Sequence, residues 1–136
     1  MFCNIGKKNF QIEIITPERV FYKGEATMIE FTSVEGDMGV YKNHIPLTTV
    51  LAPGIVTITE EDGQKKAAVH SGFAQILGDK VTLLAEIAEW PDEIDWDRAE
   101  AAKRRAEERL AAKAENTDMV RAELALRRAL VRISLR

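Results

Sequence analysis

The sequence predicts an N-terminal antiparallel β-sandwich over residues 1–90 followed by a two-helix hairpin over residues 91–136. Three observations carry that prediction. Up to Trp90, apolar and polar residues alternate with the period of strands, and Gly, Pro and Asp recur as turns. From Asp97 to Arg136 the chain has no Gly and no Pro and is rich in Ala, Arg and Glu. Between them lies Glu93-Ile94-Asp95-Trp96-Asp97-Arg98-Ala99. Pro91 cannot continue a strand ladder, and Asp95 or Asp97 can cap a helix, so this stretch is a junction.

In chain order, Phe10, Ile12 and Ile14 alternate with Gln11, Glu13 and Ile15, the period of a half-buried strand. Thr16-Pro17-Glu18 turns the chain, and Val20-Phe21-Tyr22 begins a short second strand. Thr27 to Ser33 alternates again, with Ile29 and Phe31 on one face. Glu35-Gly36-Asp37-Met38-Gly39 follows, with two glycines for backbone angles that other residues resist. Asn43-His44-Ile45-Pro46 and Pro53-Gly54 make the next bends. Val56 to Glu60 and Lys66 to His70 flank Asp62-Gly63, the best hairpin signal; Gly72 to Ile76 and Lys80 to Ile87 flank Gly78-Asp79.

Two helices are expected next, roughly Asp97–Glu115 and Met119–Ser134, joined by Asn116-Thr117-Asp118. So short a connection makes them antiparallel neighbours. Ala99, Ala102, Ala106 and Leu110 form the apolar face of the first. Met119, Ala122, Leu126, Ala129, Leu130 and Ile133 form the main apolar face of the second, and Val120, Leu124, Val131 and Leu135 a spare stripe. Alanine lets the helices approach closely but removes little apolar area from water, so the hairpin should be weakly held.

Composition narrows the function. No apolar run approaches the roughly 20 residues of a membrane span. The segment Met1 to Phe10 is too polar for a signal peptide, which points to the cytosol. A single cysteine, Cys3, excludes an internal disulfide and a thiolate metal cluster. Residues 1–96 hold 8 Lys and Arg against 15 Asp and Glu, whereas residues 119–136 hold 5 Arg against Glu123 alone. A basic terminal helix on an acidic body suits nucleic acid, acidic lipid or an acidic protein surface.

No catalytic set is present. His44 and His70 lack metal-ligand spacing, neither Ser33 nor Ser71 sits in a nucleophile elbow, and Gly36-Asp37-Met38-Gly39 lacks a P-loop's Gly-Lys-Ser/Thr end. The arginines are the stronger signal. Arg98, Arg105 and Arg109 fall within about 40° on the first helix, and Arg121, Arg128, Arg132 and Arg136 within about 80° on the second. Each stripe borders its alanine face, so closing the hairpin gathers guanidinium groups, which favours an anion between them. A phosphate fits the guanidinium fork.

Several stretches together resemble one family. Glu35 to Leu47, with Gly36, Gly39, His44, Pro46 and Leu47, looks like a Gly-x-x-Gly…His-x-Pro-Leu segment. Ser71-Gly72-Phe73-Ala74-Gln75-Ile76 resembles a Gly-Gly-Phe strand, with Ser71 where Gly is usual. Arg121 to Ala129 is similar to the second helix of that family, the epsilon subunits of bacterial F-type ATP synthases. Ile94-Asp95-Trp96-Asp97-Arg98-Ala99 fits the family's Ile/Leu-Asp-x-x-Arg-Ala mark of members that bind ATP on the folded hairpin.

The resemblance implies that Glu89, Ile94, Asp95, Arg98 and Ala99 take the base and ribose, and that Arg105, Arg128 and Arg132 serve the phosphates. Trp90 and Trp96 read as packing residues at the junction, with adenine stacking by either as the alternative. The implied role is a non-catalytic central-stalk subunit that couples rotation to ATP synthesis and inhibits hydrolysis through its helices. Its implied partners are the gamma subunit, the membrane rotor ring and the alpha/beta catalytic hexamer, on the cytoplasmic face of the bacterial membrane. Two rivals stand beside this: nucleic-acid binding through the basic tail, and a β-sandwich interaction module that holds an acidic partner. The acidic body and the lack of aromatics among the arginines weigh against nucleic acid.

Overall fold

The structure, a computed structural model, describes residues 9–43, 45–112 and 118–135. Cys3, His44, the end of the first helix beyond Ala112, Asn116-Thr117 and Arg136 lie outside the described residues. Eight strands come first: β1 Phe10–Ile15, β2 Val20–Ala26, β3 Met28–Ser33, β4 Gly36–Val40, β5 Leu47–Leu51, β6 Gly54–Glu60, β7 Gly63–Ile76 and β8 Lys80–Glu89. A single 3-10 turn, Pro91–Glu93, leads to helices α1 (Trp96–Ala112) and α2 (Met119–Ser134).

The strands run in the order β2-β1-β8-β7-β5-β3-β4, and β6 bridges β7 and β3. Alternation sets which side of each strand is buried. Phe10, Ile12 and Ile14 of β1 and Ile29 and Phe31 of β3 point into one core, where all are 3% exposed or less. That is the expected sandwich, with one feature the sequence did not signal. β1 and β8 pair in parallel, Gln11 with Lys80 through Ile15 with Leu84.

Three local expectations change. β2 runs on to Ala26 because it pairs with the whole of β1. Gly36–Val40 is a strand of its own, paired with β3, and of its two glycines only Gly36 takes a positive φ. Leu47–Leu51, in which Thr48 and Thr49 break any apolar alternation, is also a strand.

β7 changes the picture most. The sequence suggests two strands divided at Ser71; the structure has one that changes partners there. Gly63 to Val69 pair with β6, and Gly72 to Ile76 pair with β5. At the changeover Ser71 has φ 59° and Gly72 φ 129°. A Cβ on Gly72 would lie 1.9 Å from the Leu84 carbonyl oxygen, so only glycine fits.

The hairpin closes on alanine as expected. Ala99 and Ala106 of α1 and Ala122 and Ala129 of α2 are all 4% exposed or less. Leu130, expected on this seam, is 43% exposed, and Val120 of the spare stripe is 78% exposed. Val131 of that stripe faces the sandwich instead. With Ser134 it borders a groove of about 570 Å³ over Thr32, Met38 and Pro53-Gly54-Ile55. The second helix is thus seated on β6 and β7, but not tightly.

Candidate functional site

The seat of α2 is built from alternation on β7. Val69 points into the core, so Ala68 and His70 point the other way. Both are fully buried without belonging to the sandwich core. Glu89, the last residue of β8, pairs with Ala68 and so shares that face. Arg128 and Arg132 come down onto it from α2, four residues apart and therefore on one side of the helix.

Arg132 Nε donates to Glu89 Oε1 at 2.7 Å. Arg128 Nη2 donates to Ser71 Oγ at 3.2 Å, while the Arg128 Nε is buried with no hydrogen-bond acceptor among the described residues. His70 Nε2 lies 3.6 Å from the same Glu89 Oε1. That is too long for a hydrogen bond, and neither ring nitrogen has a partner among the described residues. The His70 ring edge, then the Arg132 guanidinium, hold the Glu89 carboxyl down to about 2 against the burial that opposes them. Burial pushes the proton affinity of His70 below its ordinary value, Glu89 pulls the other way, and Arg132 and Arg128 add to the depression.

The junction beside this seat is fixed to the sandwich. Arg19 Nη2 donates to both carboxylate oxygens of Glu93 at 2.8 Å, and Trp90 N donates to Glu93 Oε1 at 2.9 Å. Trp90 stacks on Phe21 with ring centroids 4.4 Å apart, which is the packing role expected of it. Ile94 is buried. Asp95, not Asp97, caps α1: its Oδ1 accepts from Arg98 N at 3.1 Å and its carbonyl from Ala99 N at 3.0 Å.

The structure therefore gathers some of the sequence-predicted residues. Glu89, Arg132 and Arg128 meet at the seat, and Ile94, Asp95 and Ala99 meet at the start of α1. Arg98 and Arg105 are exposed on α1, and no hydrogen bond or ion pair ties either side chain to α2 among the described residues. The anion next to Arg132 is the chain's own Glu89. Sequence reasoning missed His70 and Ser71 as parts of the site, although the alternation of β7 places His70 opposite the core.

A second feature also went unread. Ile15, Leu84, Phe73 and Val50 are cross-strand partners on β1, β8, β7 and β5, so they share one face. Leu84, Phe73 and Val50 are 49%, 54% and 42% exposed, an apolar row open to solvent. Among the described residues no helix is long and apolar enough to cross a membrane.

Residues 9–91 match the family described as "ATP synthase, Delta/Epsilon chain, beta-sandwich domain", and residues 92–135 match "ATP synthase, Delta/Epsilon chain, long alpha-helix domain". The chain is 45% identical over 129 residues to an ATP synthase epsilon chain of Caldanaerobacter subterraneus subsp. tengcongensis, covering 94% of each. It is 50% identical over 103 residues to one of Brevibacillus brevis, covering 75% of this chain and 78% of that one. In fold it resembles a chain in the Euglena gracilis mitochondrial ATP synthase OSCP/F1/c-ring structure, with TM-score 0.78 at 22% identity over 93% of this chain and 80% of that one. A chain of the Tetrahymena thermophila central stalk and c-ring gives TM-score 0.52 at 13% identity, over 61% and 67%.

Proposed function

From the premise that this chain belongs to the ATP synthase delta/epsilon chain family, we propose that its hairpin is a regulatory arm. In this reading the sandwich rides on the rotor, and α1 and α2 report to the catalytic hexamer. The observation that carries the reading is the docking of α2 by two arginines on Glu89 and Ser71. Little else holds α2 on the sandwich, since it meets β6 and β7 only lightly. An arm secured by a few charge-assisted bonds can be released; one secured by a large apolar seam cannot.

The rotor side is best served by the row Ile15, Leu84, Phe73 and Val50, which suits an apolar surface on the gamma subunit. A released α2 would offer its arginines and Val120 to an acidic groove on the alpha/beta hexamer and so block rotation. The proton-translocating complex, its membrane ring and the cytoplasmic side of a bacterial membrane belong to the same reading.

ATP is the ligand we assign to the folded hairpin. The fit rests on the buried Arg128 Nε, which lacks an acceptor among the described residues, and on the exposed guanidinium groups of Arg98, in the first turn of α1, and Arg105, about two turns further along. Bound nucleotide would supply phosphate oxygens to these donors. Glu89, Ile94, Asp95 and Ala99 line the neighbouring turn, where base and ribose contacts would fall. By mass action such a ligand stabilises the docked arm by about RT ln(1 + [ATP]/Kd), roughly 2.7 kcal/mol at about 100 times Kd. ATP would therefore oppose inhibition.

The test is to end the chain after Glu93 and assemble it into the complex. That cut keeps the Arg19–Glu93 pair and the Phe21–Trp90 stack, so the sandwich should still join. ATP hydrolysis by the complex should rise. Unchanged hydrolysis would refute the inhibitory role, and failure to assemble would refute the division of labour.

A further inference from the structure

His70 sits beneath the docked helix, fully buried, with no hydrogen-bond partner among the described residues and three charged neighbours. These are Glu89 from β8 and Arg128 and Arg132 from α2; Glu89 Oε1, 3.6 Å from the ring, already accepts from Arg132. A proton on His70 would set two cations against a single carboxylate oxygen, with a third, Arg128, anchored on the adjacent Ser71. In a buried site that charge is costly, and among the described residues Glu89 is the anion that acts on the ring.

We propose that α2 docks only over a neutral His70, so that proton uptake by this ring releases the hairpin from the sandwich. The proton is taken from solvent when the helix lifts transiently and exposes the face of β7. The charged ring then keeps the helix from returning. Burial lowers the proton affinity of the docked ring, so the docked state holds fewer protons than the open one. Docking is then at full strength above the ordinary histidine value of about 6.5 and weakens as pH falls below it. Glu89 does not open this window, because its carboxyl stays ionised down to about 2. That acid release should lower ATP hydrolysis by the complex rests on the inhibitory reading above, whereas the docking equilibrium does not. It can be measured on the isolated chain without nucleotide.

The test places spin labels at Val120→Cys on α2 and Asp62→Cys at the β6–β7 turn of the full chain, with Cys3→Ser. Both positions are exposed. Distances are compared at pH 7.5 and 5.2. A long-distance population should grow on acidification, by up to about 20-fold in the open-to-docked ratio, the limit for a ring that titrates near about 6.5 when open and stays neutral when docked. His70→Gln should abolish that growth. An unchanged distribution, or the same growth in His70→Gln, would overturn the proposal. The ring itself gives an independent check by nuclear magnetic resonance, with His44→Gln to assign its signal. A docked-state ring that titrates at or above about 6.5 would overturn the proposal as well.

Discussion

Ser71 holds a left-handed backbone angle that glycine adopts without strain, and its hydroxyl accepts the hydrogen bond from Arg128. The two facts predict a split outcome for Ser71→Gly. Relief of strain should stabilise the sandwich by about 1 kcal/mol, while loss of the acceptor loosens α2. Denaturant unfolding should show the first, and faster amide exchange in α2 the second. Gly72→Ala one position on should do the reverse and cost at least about 2 kcal/mol, because its Cβ would meet the Leu84 carbonyl. Glu89→Gln removes the carboxylate under Arg132. In the wild type that pair is at full strength above about 4.5, the carboxylate's ordinary value, and is lost as pH falls towards about 2. In a His70→Gln background, which removes the higher window and the ring that contributes most to the depression of Glu89, acid release of α2 should begin below about 4.5, end above the wild-type limit and disappear when Glu89 is also neutral. At this scale the sequence was half legible. Glu89, Arg128 and Arg132 could be read from motif and helical spacing. His70 and Ser71 could not, because their importance comes from what a distant helix sets on top of them.

At the scale of elements, local signals were read well and non-local ones were not. α2 begins and ends where its apolar period places it, and Asp118, expected only as part of the connection, caps it, its Oδ1 accepting from Arg121 N at 3.0 Å. Asp95 caps α1 in the same way, so Asp95→Ala should cost about 1 kcal/mol of helix stability and lower the helical circular dichroism signal on warming. The parallel pairing of β1 with β8 had no local trace, since it joins strands from opposite ends of the sandwich. The continuity of β7 was hidden because Ser71-Gly72 resembles a turn in sequence but serves as a change of partner in the fold. The alanine seam gives a sharper test of the hairpin. Ala129, 1% exposed, has no room for a larger side chain, so Ala129→Leu should force α1 and α2 apart at a cost of about 1–3 kcal/mol and increase exchange in both helices.

For the whole molecule, one arm is held at the same place by the protein's own groups and, in the proposed function, by ATP. Glu89 and Ser71 engage Arg132 and Arg128 in the structure, and the Arg128 Nε, without an acceptor among the described residues, is the donor that the proposed function gives to the nucleotide. ATP titration of the isolated chain, followed by calorimetry and by the amide signals of α1 and α2, tests this most directly. Binding should saturate at or below millimolar ATP and slow amide exchange in both helices. Arg132→Ala should weaken it about tenfold or more, because the docked arm loses its charge-assisted bond to Glu89, of about 1.5–3 kcal/mol. Arg127→Ala, an exposed neighbour pointing about 100° away on the helix, should leave it nearly unchanged. No saturable heat and no change in either helix at millimolar ATP would contradict the account, leaving the arginines as a surface for the catalytic hexamer alone.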